Sequence, residues 1–102
     1  MNYQIKLFSQ IDDDVKKFWS NIESNSHHTC FNSLAWVENY ISTYEGSRNY
    51  SRLRIFIIFL KDEPVCIFPF EIIRRFKINV LQWACDLKSD FNAPLKKKNF
   101  IF

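Results

Sequence analysis

The stretch Leu53-Arg54-Ile55-Phe56-Ile57-Ile58-Phe59-Leu60-Lys61 decides the fold of this chain of 102 residues. Most of its residues are β-branched or aromatic, which favours a β-strand. From Ile55 to Leu60 the strand is apolar on both faces, a pattern typical of sheets that are covered on both sides. We therefore expect a central strand here, with a layer of structure needed above and below it.

This central strand opens an antiparallel hairpin. Residues 61–64, Lys-Asp-Glu-Pro, predict a turn, and residues 65–73 predict the return strand, because a tight connection joins antiparallel strands. Pro69 lies inside the return strand and cannot donate to a ladder, so it predicts a sheet edge or a β-bulge. Arg74-Arg75-Phe76 predict the next connection, 77–83 a third strand, and 84–95 a loop.

Two amphipathic helices are predicted before the hairpin. Asp12-Asp13-Asp14 suit the positive end of one helix, and one of these carboxylates can cap it. This helix is expected to end near Asn25. Its buried stripe has helical spacing and consists of Val15, Phe18, Trp19 and Ile22.

The second helix is predicted from about Leu34 to Glu45. Ser33 is its N-cap candidate, and Gly46 is a natural C-terminal stop. Its apolar stripe is Leu34, Val37, Ile41 and Tyr44, with Trp36 and Tyr40 on an adjacent face. Trp36 and Tyr40 are one helical turn apart. The usual meaning of that spacing is core packing, and contact with a partner or an acceptor substrate is the alternative.

With a short strand over residues 3–8, the predicted order is β-α-α-β-β-β. The fold class is therefore α+β, an antiparallel sheet with two helices on one face, in a single domain over residues 1–102. Two short helices cover only one side of the sheet. We expect the other apolar face to be covered by further chain, such as a missing C-terminal half, or by a second chain, for which a homodimer is one candidate.

The composition excludes several classes of function. The net charge is only +3 and the basic residues are dispersed except at 96–98, so no nucleic-acid partner is expected. The longest apolar run, 55–60, is far below the length of about 20 residues that spans a membrane, and the N-terminus lacks a secretory signal. A cytoplasmic location without membrane association is expected. Three widely spaced cysteines fit reduced thiols rather than a disulfide framework.

Catalytic and metal-binding clusters are not predicted. His27, His28 and Cys30 lie close together, but a zinc site usually has four ligands in paired spacings, so a polar loop is favoured. Asp90, in the predicted loop, is a candidate for lining a substrate cleft. Gly46 is the single glycine, so no glycine-rich loop that cradles a phosphate can be drawn. We expect no cofactor in this chain.

Five short motifs occur in order along residues 15–95. The first is a helix that carries Trp19 and Ile22. The third and fourth are a hairpin whose return strand ends in Pro plus an apolar residue, and basic residues at the turn that follows. The second motif is F-x-S-x-x-W-x-x-x-aromatic, at Phe31, Ser33, Trp36 and Tyr40. The others are Pro69-Phe70, Arg74-Arg75, and D-aromatic-x-x-P-L at Asp90, Phe91, Pro94 and Leu95.

Together these motifs resemble the N-terminal half of GNAT-like acetyltransferases, of the kind associated with cellulose biosynthesis and related to the Fem-type aminoacyl transferases. The resemblance implies acyl transfer from acyl-CoA or a similar thioester to an amine or hydroxyl in the intact relative. It also implies that the acyl-CoA site lies after this portion, so the chain alone is expected to be inactive. The candidates that it places at the acceptor cleft are Asp90, Phe91, Asn92, Trp36 and Tyr40. The alternative function is a small non-catalytic interaction or dimerisation module.

Overall fold

A computed structural model of the chain describes residues 3–26, 33–44, 52–83 and 94–98. Its elements form an α+β arrangement of two helices and an antiparallel sheet, which confirms the predicted α+β class. The order differs from the predicted β-α-α-β-β-β, because a short fifth strand follows. In chain order they are β1 (Tyr3–Phe8), α1 (Asp13–Glu23), α2 (Leu34–Tyr44), β2 (Arg52–Leu60), β3 (Glu63–Arg75), β4 (Ile78–Trp83) and β5 (Leu95–Lys96).

The sheet has the strand order β1-β2-β3-β4, and β5 adds to β3 beside β4. β5 lies at the end of the segment 84–95 that was predicted as a loop, and its two residues pair with Cys66 and Ile67. β4 pairs with residues 70–75 of β3. Pro69 lies between these two paired segments, as expected for a residue that cannot donate to a ladder. The bulge in the β2–β3 ladder lies elsewhere, between Ile58 and Phe59.

Both hairpins turn on two residues in the left-handed region. Lys61 and Asp62 have φ of 51° and 67°, and Phe76 and Lys77 have φ of 49° and 67°. Positive φ at both central residues is the type I′ turn, whose twist matches that of the strands it joins. The prediction of a connection at Arg74-Arg75-Phe76 was wrong, because β3 continues to Arg75 and the turn falls on Phe76 and Lys77.

Helix α1 begins where the sequence predicts. Asp12 is its N-cap, and its Oδ1 accepts a hydrogen bond of 2.9 Å from the Val15 N–H. Of the predicted stripe, Val15, Trp19 and Ile22 are fully buried and Phe18 packs partly buried against them. The helix ends at Glu23, two residues before the predicted Asn25.

Helix α2 is fixed at its start by two side chains. Ser33 Oγ accepts a hydrogen bond of 3.2 Å from the Trp36 N–H, so Ser33 is the cap that the sequence predicts. Glu23, the last residue of α1, accepts a hydrogen bond from the Leu34 N–H. The end of α1 thus satisfies a backbone donor at the start of α2, which links the two helices.

The core lies between the helices and one face of the sheet. Alternate residues of β2 point into it and are buried, and β3 and β5 each add one residue to this buried apolar cluster. The buried members from the sheet are Leu53, Ile55, Ile57, Phe59, Ile67 and Leu95, and those from the helices are Val15, Trp19, Ile22 and Val37. Backbone bonds from Lys97 to Val65 and from Lys98 to Asn25 hold the chain after β5 against β3 and the end of α1.

Candidate functional site

The sheet face opposite the helices carries a continuous set of apolar side chains, which we call the open face. Antiparallel pairing puts Ile5 beside Ile58, Phe56 beside Phe68, and Phe70 beside Trp83, and directly paired residues share a face. Its large apolar members are Tyr3, Ile5, Leu7, Phe56, Ile58, Leu60, Phe68, Phe70, Ile72, Leu81 and Trp83. Apolar side chains thus extend across all four long strands.

Four rings form an aromatic cluster at the middle of the open face. Phe70 lies 4.7 Å from Trp83, 5.9 Å from Phe56 and 5.9 Å from Phe68, measured between ring centroids. Phe68 in turn lies 6.3 Å from Trp83. These separations are those of favourable aromatic pairs, so the centre of the open face is an ordered apolar platform.

Polar residues also lie on the open face. Asn79 is two residues from Leu81 on β4, Glu63 is paired with Leu60, and both are exposed. Arg54 shares this side of β2, and its Nη1 donates a hydrogen bond of 2.7 Å to the backbone oxygen of Leu53. Cys66 lies beneath the surface, where burial raises the pKa of its thiol to about 12 although Lys96 acts in the opposite direction. A thiol with such a pKa stays protonated at neutral pH, so Cys66 is not an activated nucleophile.

On the other side of the sheet, a buried polar network joins α2 to two strands. Glu71 of β3 is fully buried. Its Oε1 accepts a hydrogen bond of 3.0 Å from Gln82 Nε2 on β4 and one of 3.3 Å from Tyr40 Oη on α2. Glu71 and Gln82 are directly paired across the β3–β4 ladder. Buried polar groups are normally hydrogen-bonded, and here the bonds fix α2 at a defined position over the sheet.

The predicted acceptor-cleft residues fall into two groups. Trp36 and Tyr40 are half-buried and pack against the core, and Tyr40 also belongs to the Glu71 network. Asp90, Phe91 and Asn92 lie outside the described residues. The structure therefore gives Trp36 and Tyr40 a packing role and leaves the cleft as a prediction.

Metal-ligating side chains do not form a cluster of three or more within the described ranges. His27, His28, Cys30 and Cys85 lie outside those ranges. None of the helices in the described part of the chain has the length and apolarity to cross a membrane.

Sequence reasoning missed the Glu71 network, although a signal was present. Glu71 is the single acidic residue between Pro64 and Cys85, and it lies within an apolar strand. A lone carboxylate in such a strand must either face solvent or find buried donors. Its pairing with Gln82 depends on strand register, which the sequence pattern does not define closely enough.

Comparisons with known proteins give no relative for this chain: no family model, curated protein or solved structure matches it.

Proposed function

We propose that this chain is the N-terminal portion of a GNAT-like acyltransferase, which moves an acyl group from acyl-CoA or a similar thioester to an amine or hydroxyl. The observation that carries the proposal is the open face. An apolar surface across four strands, with an aromatic cluster at its centre, is typical of a surface that contacts other protein. In the proposed enzyme the remaining portion covers this face and supplies the acyl-CoA site.

The family motifs support the proposal through their structural roles. Ser33 caps α2, Trp36 packs on the core, and Pro69 and Leu95 are buried. These residues position the helices and the central hairpin rather than taking part in a reaction. The resemblance therefore concerns the framework of the fold, and the role of Asp90 and Phe91 at the acceptor cleft is part of the proposal.

The chain by itself should not bind the coenzyme. Pyrophosphate groups are usually held by backbone N–H groups in a glycine-rich loop before a helix, and Gly46 is the only glycine here. Transfer of an acyl group also needs donors that stabilise the developing oxyanion. We place both functions in the portion that covers the open face.

Titration calorimetry with acetyl-CoA tests this placement. The 102-residue chain should show no binding heat, and a longer chain that includes a Gly-containing strand–loop–helix encoded downstream should bind one equivalent. Stoichiometric binding of acetyl-CoA by the 102-residue chain would contradict the proposal. Downstream DNA that encodes no such segment in any frame would contradict it as well.

A further inference from the structure

The turn between β3 and β4 carries the most exposed large apolar side chain among the described residues. Phe76 is 97% exposed, and Ile78, just after the turn, is 64% exposed. The turn between β2 and β3 has the same backbone form, but its central residues are the polar Lys61 and Asp62, both exposed. Polar residues or glycine are usual at such positions. The exposed ring of Phe76 therefore indicates a contact outside the folded chain.

The β3–β4 turn also projects from the sheet. The described pairing of β3 with β2 ends at Ile72, and residues 73–75 pair with β4 alone. At about 3.3 Å per residue, these three residues carry the turn roughly 10 Å past the paired part of β2. With 97% of its surface exposed, the Phe76 ring lies on a convex tip and not in a groove.

The sequence of this hairpin is positively charged. Residues 72–83 contain three basic residues and no acidic one. The three are Arg74, Arg75 and Lys77, which are the immediate neighbours of Phe76 in the sequence. The preceding acidic residue, Glu71, is fully buried. The acidic residues 12–14 lie at the start of α1, after β1, and β1 and β4 are at opposite ends of the strand order.

From these features we propose that the hairpin tip, residues 74–78, contacts the surface of a membrane that contains anionic lipids. Phe76 enters the boundary between headgroups and acyl chains, Ile78 adds apolar surface beside it, and the basic residues pair with lipid phosphate groups. A fluid lipid surface accepts a ring on a convex tip without a preformed pocket. Single-stranded nucleic acid, in contrast, is usually bound in a groove that has several stacking rings.

Contact at a lipid surface requires neither a spanning segment nor a secretory signal. The expectation of no membrane association was based on the absence of those two features, so it does not cover this contact. The contact is also independent of the acyltransferase assignment, because it uses the hairpin tip and leaves the open face free for the remaining portion.

Flotation with lipid vesicles tests the contact, because chain that is bound to lipid rises through a density gradient whereas aggregates do not. The unmodified chain should float with vesicles of phosphatidylcholine and phosphatidylserine. One inserted ring and three basic residues predict a partition coefficient on the order of 10³ M⁻¹. Flotation should be lost with phosphatidylcholine alone and at high salt.

Three results with the unmodified chain would overturn the proposal. Two of them are equal flotation with both kinds of vesicle and no flotation with either. The third is binding to an oligothymidylate without flotation, which would assign the hairpin tip to single-stranded nucleic acid.

A matched pair of apolar substitutions locates the contact. Phe76→Ser should lower the partition coefficient at least about tenfold, because it removes the inserted ring. Ile5→Ser removes a 67% exposed side chain of the open face and should leave the coefficient unchanged. Equal effects of the two substitutions would assign lipid binding to the open face and overturn the proposal. Circular dichroism verifies that each variant is folded.

A matched pair of charge substitutions separates local from net charge. Lys77→Glu should lower the partition coefficient about thirtyfold, since each basic residue at an anionic surface contributes about a factor of five. Lys61→Glu makes the same change in the other hairpin turn, at the far end of β3. It should have little effect, because that distance far exceeds the screening length of about 8 Å. Equal losses would overturn the proposal. Acetyl-CoA binding is measured without vesicles, so the two proposals are judged separately.

Discussion

Replacing Glu71 with Leu should destabilise the fold strongly, because it removes a buried carboxyl group that accepts two hydrogen bonds. An intramolecular hydrogen bond contributes about 0.5–1.5 kcal/mol, and a buried donor left without an acceptor costs about 1–3 kcal/mol. The bond from Tyr40 is long at 3.3 Å. Tyr40 and Gln82 are half-buried, so water can bond to the freed donors and offset part of the lost free energy. We expect Glu71→Leu to lower the free energy of unfolding by about 2–3 kcal/mol.

A double-mutant cycle separates the network from general packing. Tyr40→Phe should cost about 1 kcal/mol in the unmodified chain and almost nothing after Glu71→Leu, which gives a coupling of about 1 kcal/mol. Glu71→Gln is the matched control, since it keeps an acceptor oxygen at the same position and should retain most of the stability. Urea unfolding followed by tryptophan fluorescence, at one fixed chain concentration, measures the four free energies of the cycle and that of the control.

Two results would refute this reasoning. One is a Glu71→Leu variant within about 0.5 kcal/mol of the unmodified chain, the size of an ordinary surface substitution. The other is an equal cost of Tyr40→Phe in both backgrounds, which would mean that Tyr40 stabilises the protein through packing alone.

Three further predictions concern the hairpin turn, the buried thiol and the helix cap. Lys77→Gly should raise the melting temperature by a few degrees, because a non-glycine residue in the left-handed region costs about 1–2 kcal/mol. The larger entropy of glycine in the unfolded chain offsets only part of this gain. Thermal unfolding measures the shift, and a lower melting temperature would contradict the prediction. Between pH 9 and 12 the unfolded chain ionises the thiol of Cys66, whose ordinary pKa is 9.0, while the folded chain keeps the proton. The free energy of unfolding should therefore fall with rising pH in this window by up to about 1.4 kcal/mol per pH unit relative to that of Cys66→Val. If the two proteins lose stability with pH at the same rate, the prediction is wrong. Asp12→Ala should cost about 1 kcal/mol by removing the cap of α1, and Asp12→Asn, which keeps an acceptor, should cost much less; equal losses on urea unfolding would exclude the capping role.

The helices illustrate what local pattern can predict. The spacing of Val15, Trp19 and Ile22 places them on one face of α1, and all three are fully buried. Asp12 and Ser33 are both caps, as their positions before apolar stripes predict. Such features depend on neighbours within one or two helical turns, so the local sequence is almost enough to predict them.

Several features of the sheet cannot be predicted from local sequence pattern. β5 is only two residues long and exists because it pairs with Cys66 and Ile67, a contact far away in sequence. The β3–β4 turn was misplaced because Phe76 and Lys77 are neither glycine nor asparagine, the usual residues at positive φ. The Glu71 network likewise depends on the register between β3 and β4 and on the position of α2.

The strand β1 has a further consequence, for the order in which the molecule folds. Strands β2, β3 and β4 are consecutive hairpins and pair after closing only short loops. β1 pairs with β2 across the whole segment that contains both helices, so its closure costs more chain entropy. We expect β1 to dock after the rate-limiting step, and substitutions such as Leu7→Ala should then accelerate unfolding while leaving the refolding rate nearly unchanged.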